Sequence, residues 1–172
     1  MTWDKGLDYK QTYKLLLKKM NDHYMRGAMN SYCYALVLLI QLRNGSRVSE
    51  ALKAAKLFMN TLKRKTKVKV KKRKDNYERL MVLPKEIQFR KLLICRDVLF
   101  WPEKEVLNRI KVYAKKVLGL NTHSLRYAYI TYLLKQGINP SIIAKLTGHK
   151  RLDYILTYTQ KKTAEEVLET MG

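Results

Sequence analysis

Carboxylates are scarce in this 172-residue chain: 14 Asp and Glu stand against 36 Lys and Arg, a formal net charge of +22. A two-metal nuclease needs several acidic side chains close together, so this composition argues against one, and no metal-ligand cluster is present. There is also no Gly-rich phosphate loop and no internal repeat. The two cysteines, Cys33 and Cys95, are far apart in sequence and are expected to be buried, reduced thiols of an intracellular protein. No apolar run approaches the roughly 20 residues that span a bilayer. The best, residues 34–42, is too short, and no signal-peptide layout opens the chain.

What is present is charge and apolar bulk together. The apolar fraction of 47% supports one folded domain with a sizeable core. A charge of +22 is unfavourable in a compact state unless a polyanion relieves it. Nucleic acid is the first candidate partner, ahead of an anionic membrane surface. Abundant Lys, Tyr and Ile with few loop glycines would suit a thermophile.

Residues 1–8 read as a frayed lead-in, and residues 8–20 carry helical spacing through Tyr9, Tyr13, Leu16, Leu17 and Met20. His23 follows in a polar joint, where a solvated surface histidine is the plain expectation. Residues 30–43 are almost wholly apolar and predict a central buried helix stopped at Asn44-Gly45. Ser46 is then expected to cap a short helix with Arg47 in its first turn. Nine of the twelve residues 63–74 are basic. Within them Val68 and Val70 alternate with Lys67, Lys69 and Lys71, which predicts a strand with one core face and one cationic face. Asp75-Asn76 supplies a turn, and residues 77–83 return as a second strand. Residues 85–99 and 103–118 have helical periodicity, separated by Trp101-Pro102.

Residues 123–158 hold two of the chain's three histidines. Thr122 is a plausible N-cap for a helix over residues 125–134 that stops at Gly137. Asn139-Pro140 opens a short helix over residues 141–146 ending at Gly148, and a third helix begins near Arg151. His123 and Arg126 share the first turn of the first helix, His149 follows the glycine stop, and Tyr158 lies nine residues on. Tyr154 sits one turn before it.

His-x-x-Arg, then Gly-His, then a tyrosine nine residues later resembles the C-terminal catalytic domain of the tyrosine recombinases, the phage- and archaeal-type integrases. The resemblance covers roughly residues 8–172 and implies a mainly α fold with a small β-hairpin, that is, α+β. It further implies one catalytic domain over residues 1–172, with residues 159–172 as a C-terminal tail helix and the family's N-terminal core-binding domain absent.

The implied activity is DNA strand cleavage and rejoining through a 3′-phosphotyrosine, as in integration by viruses and mobile elements, with neither metal nor cofactor. Implied catalytic residues are Arg47, Lys74, His123, Arg126, His149 and Tyr158. Glu50, in an Arg-x-x-Glu setting with Arg47, is implied as an orienting partner. Lys74 takes its place from Glu78-Arg79 four and five residues later, with Lys72 as the alternative. Lys67, Lys69, Lys71, Lys72 and Arg73 are expected to bind DNA. The expected partner is double-stranded DNA, bound as a dimer or tetramer that is a monomer or weak dimer without it. The expected place is the cytoplasm or nucleoid of a prokaryotic host. Two alternatives stay open: a non-catalytic helix-turn-helix DNA-binding module over the two helices that flank Gly137, and type IB topoisomerase-like relaxation by the same residues.

Overall fold

The computed structural model describes residues 6–70, 73–150, 155, 165 and 167–171. At its centre is a helix with no wet face, α2 (Met29–Asn44), buried without interruption from Tyr32 to Leu42. An element that is apolar all round has to be surrounded. α1 (Tyr9–Met25), α3 (Val48–Thr61), α6 (Glu103–Tyr113) and α7 (Thr122–Lys135) pack against it. Two short helices, α4 (Phe89–Leu93) and α5 (Arg96–Leu99), fill the space under α3. The strands β1 (Lys65–Lys69) and β2 (Glu78–Val82) form an antiparallel hairpin in which Val68 faces Arg79 and Thr66 faces Met81. α8 (Pro140–Thr147) lies between α7 and β2. Mainly α with a small β-hairpin is thus the fold, as expected.

Several local expectations need correction. Arg47, not Ser46, is the N-cap of α3: Glu50 reaches back to accept its N–H at 3.2 Å, while Ser46 is buried and donates to the Arg47 carbonyl. Asn121, not Thr122, caps α7, accepting from the His123 N–H at 3.0 Å. Residues 85–99 form two helices, with a turn at Ile94-Cys95. Leu92, Cys95 and Leu99 keep helical spacing across that turn, so the periodicity conceals it. α6 ends at Tyr113 and passes into a wider π-turn, Ala114–Leu118, closed by Gly119 at φ +65°. His23 is not a solvated histidine: it is half-buried with Nε2 2.7 Å from the Tyr113 hydroxyl. Cys33 and Cys95 are not reduced thiols either. α5 packs on α2 and brings their Cα atoms to 5.4 Å, joined as a disulfide across 62 residues of sequence. The helix expected from Arg151 falls outside the described residues.

The end of α2 is where the fold turns toward its functional face. Gly45 closes the helix at φ +60°, in the left-handed region. The Tyr129 ring of α7 lies where its Cβ would stand. Gln41 and Asn44 are buried polar residues in the last turn. Gln41 Nε2 donates to the carbonyls of Ser46 (3.1 Å) and Thr122 (2.9 Å), tying the start of α3 to the start of α7. The Asn44 side chain pairs with the Val82 backbone in both directions, each at 2.9 Å, and so fastens β2 to α2.

Gly45→Ala should therefore unfold at lower urea than wild type. The left-handed backbone and the displaced Tyr129 ring together cost roughly 2–5 kcal/mol. A loss below about 0.5 kcal/mol in urea unfolding would mean that Tyr129 moves aside freely.

Candidate active site

Four elements converge at the C-terminal end of α2. α3 brings Arg47 and Glu50; α7 brings His123 and Arg126; the turn after α8 brings His149; and β2 brings Arg79. Glu50 is almost fully buried. Its Oε2 takes the Arg47 guanidinium at 3.0 Å, and its Oε1 lies 3.9 Å from Arg126 Nη1. One carboxylate thus orients two guanidiniums, which is the structural part expected of it.

Arg126 is 1% exposed, extreme for an arginine. Its Nη1 donates to the Gly45 carbonyl at 3.2 Å, and its Nη2 lies 3.1 Å from His149 Nε2 and 3.2 Å from His149 Nδ1. Burial, and then the Arg47 charge, push its pKa down to about 9, which leaves it cationic at neutral pH.

His149 follows Gly148, whose φ of +79° ends α8. Its Nδ1 is 2.6 Å from the Thr147 hydroxyl, which itself donates to the Ile143 carbonyl at 2.8 Å. A hydroxyl that has given its proton to a carbonyl can only accept from the ring. Nδ1 therefore carries the hydrogen, and Arg126 Nη2 stands beside the ring, about equally near both nitrogens. Burial first, then Arg126, Arg47, Arg79 and His123, push the imidazole pKa down to about 3. His149 is neutral in the free protein.

His123 is exposed on the first turn of α7, with its ring edge-on to Tyr127 at 5.5 Å. Lys74 stands exposed at the hairpin tip beside Asn76, whose φ is +57°. The structure thus gathers Arg47, Arg126 and His149, sets His123 at their edge, and leaves Lys74 on the hairpin rather than in the cluster. Tyr158, and its neighbour Tyr154, lie outside the described residues, as do Lys71 and Lys72.

The expected DNA-binding residues divide. Lys67 and Lys69 are exposed on the outer face of β1. Arg73 is engaged within the tip: its Nε donates to Asp75 at 3.0 Å and its guanidinium lies 4.1 Å from the centre of the Tyr77 ring. Tyr77 in turn donates to the Lys145 carbonyl of α8 at 3.1 Å. A separate cleft of about 690 Å³, lined by Tyr9, Tyr13, Arg43, Arg64, Lys65 and Tyr132 among others, contains none of the five expected catalytic residues that are described.

Sequence reasoning missed two members of the cluster. Arg79 is 3% exposed, and its Nη2 donates to the Asn44 carbonyl. The signal was available: alternation along β2 puts Arg79 on the same inward face as Met81. Thr147, fully buried beside His149, carried no signal of its own.

Arginines and a histidine thus gather around one carboxylate where helix ends meet a basic hairpin. The phage integrase family matches residues 9–165, and the chain belongs to that family, the tyrosine recombinases. ORF241 of Acidianus two-tailed virus, named as an integrase, is 41% identical over 99% of this chain and 69% of its own length. The uncharacterised protein MJ0770 of Methanocaldococcus jannaschii is 39% identical over 99% of this chain and 89% of its own. Tyrosine recombinase XerA of Pyrococcus horikoshii is 34% identical over 55% of this chain and 30% of its own. No solved structure matches. Family membership supports site-specific recombination and binding to DNA.

His149 makes stability depend on pH with a defined sign. Its folded pKa lies far below the ordinary 6.5, so the unfolded chain takes up a proton that the folded chain refuses. The contribution to stability is complete above about pH 6.5 and is lost as pH falls toward about 3, at no more than about 1.4 kcal/mol per pH unit. Urea unfolding at pH 7, 6, 5 and 4 should show that His149→Gln loses stability less steeply than wild type. Parallel slopes would mean that the ring is protonated in the folded chain.

Proposed function

We propose that this chain is a recombinase catalytic domain that cuts and rejoins DNA through a 3′-phosphotyrosine on Tyr158. The Tyr158 oxygen attacks the scissile phosphorus, the bond to the 5′-oxygen breaks, and the phosphate stays on the protein. Attack by a 5′-hydroxyl reverses the step, and the bond energy kept in the link makes ATP unnecessary. Arg47 and Arg126 hold the non-bridging oxygens, where charge accumulates. A tyrosine with pKa near 10 needs a base, and His123, exposed beside the cluster, takes its proton. Lys74, or Lys72 in the alternative register, protonates the departing 5′-oxygen from the hairpin. Guanidiniums supply the charge that a metal would otherwise supply, so no step calls on one.

His149 acquires its role when DNA arrives. In the free protein the neutral ring stands against Arg126 Nη2. A phosphate beside the ring favours the imidazolium, and Nε2–H then donates to a phosphate oxygen. Lys67, Lys69, Lys71, Lys72 and Arg73 line the approach of the duplex along the hairpin. The working form is a dimer or tetramer on double-stranded DNA, inside a prokaryotic cell.

The observation that carries this reading is Arg126, buried yet turned onto His149 and tied to Arg47 through Glu50. A helix-turn-helix module made of α7 and α8 would have no use for a buried arginine at the start of its first helix. Topoisomerase-like relaxation uses the same cleavage chemistry, and formation of a synaptic complex separates it from recombination.

A nicked suicide duplex incubated with the chain in EDTA should give a protein–DNA band that survives denaturing electrophoresis. Tyr158→Phe should abolish the band and Tyr154→Phe should keep it. Loss only in Tyr154→Phe would move the nucleophile by one helical turn. Absence of any band with DNA binding intact would reject cleavage. Arg126→Gln should lower the rate of band formation by roughly 10²-fold or more.

A further inference from the structure

Arg47 and Arg126 have guanidinium partners that account for their orientation: Glu50 for the first, and Gly45, His149 and Glu50 for the second. Arg79 is placed differently. It leaves β2 opposite Val68, on the face that also carries Met81 into the core. Its side chain crosses to the end of α2, where Nη2 donates to the Asn44 carbonyl. The next carbonyl along, that of Gly45, is taken by Arg126. Two buried guanidiniums therefore hang from adjacent peptide groups of one turn.

The remaining donors of Arg79, Nε and Nη1, are buried and have no hydrogen-bond partner among the described residues. Leaving two donors of a buried cation unpaired is costly, and native proteins rarely tolerate it without a reason. Glu50, the carboxylate of this cluster, is already engaged by Arg47 and Arg126. Among the described residues, three guanidiniums around a single carboxylate are a deficit of negative charge. The field of Arg79 reaches the rest of the site, since its charge bears on both Arg126 and His149.

We propose that Arg79 is a third guanidinium of the DNA-phosphate site, keeping Nε and Nη1 for the oxygen of a phosphodiester that enters beside Arg126. The proposal rests on the strand-cleavage reading and adds a residue to it. In the free protein Arg79 is an unsatisfied cation; on DNA, the phosphate supplies the missing acceptor and the missing charge. The oxyanion is thereby drawn to the turn where Arg126 and His149 already meet.

The test uses the whole chain, inorganic phosphate as probe, and the ¹H–¹⁵N resonances of the arginine side chains. The Nε–H signal of Arg79, assigned by its disappearance in Arg79→Lys, should shift on titration with phosphate and saturate together with that of Arg126. Arg79→Met should weaken phosphate binding about 10-fold or more, and Arg79→Lys, which keeps the charge but not the fork, by less. Phosphate should also raise the melting temperature of wild type more than that of Arg79→Met. A purely structural Arg79 would lower the melting temperature with and without phosphate and leave that increment unchanged, which would overturn the proposal. An Arg79 signal that stays still while Arg126 responds would overturn it as well, with the cleavage reading intact. If neither signal moves and no covalent DNA band forms, both fail together. Should Arg79→Met not fold, the wild-type resonance decides alone.

Discussion

The carbonyl groups at the end of α2 are the points from which the active face hangs. Helix C-termini carry partial negative charge and unpaired acceptors. Here the carbonyls of Asn44, Gly45 and Ser46 are met by Arg79, Arg126 and Gln41. Those donors come from β2, from α7 and from α2 itself, so one helix end holds together segments distant in sequence. The helix in question is the most deeply buried in the protein, and the site inherits its rigidity. Gly45 is the residue that lets the turn exist, with a left-handed backbone and Tyr129 packed where a side chain would be.

Positive charge is in excess at this face of the free chain. Burying guanidiniums beside one another is unfavourable, and Glu50 offsets only part of that cost. The burden falls on His149, which is held neutral at pH values where an exposed histidine would be substantially protonated. A neutral imidazole beside Arg126 adds no further positive charge to the cluster. An anion reverses the balance for every cation in it. The same logic, on a larger scale, applies to the +22 of the whole chain.

Helices and hairpin were legible because each has a local signature. The all-apolar stretch made α2 conspicuous; Asn139-Pro140 and Gly148 bounded α8; alternating valines marked β1. Local rules erred by one residue where two neighbouring polar residues compete for a cap, as at Ser46-Arg47 and Asn121-Thr122. What could not be read were relations across the chain. The Cys33–Cys95 pair depends on how α5 lies against α2, and the His23–Tyr113 contact on how α1 lies near α6. Arg79 was half legible: its inward register followed from alternation, but its attachment to the Asn44 carbonyl required the packing of β2 on α2.

The hairpin and the His149 turn are joined side by side. Val70, at the edge of β1, lies against Gly148 so closely that any side chain there would strike it, and Tyr77 holds the Lys145 carbonyl of α8. The lysine-bearing hairpin and the loop carrying the imidazole are therefore packed as one unit. No side chain can stand at position 148 without parting the hairpin from the turn that carries the imidazole.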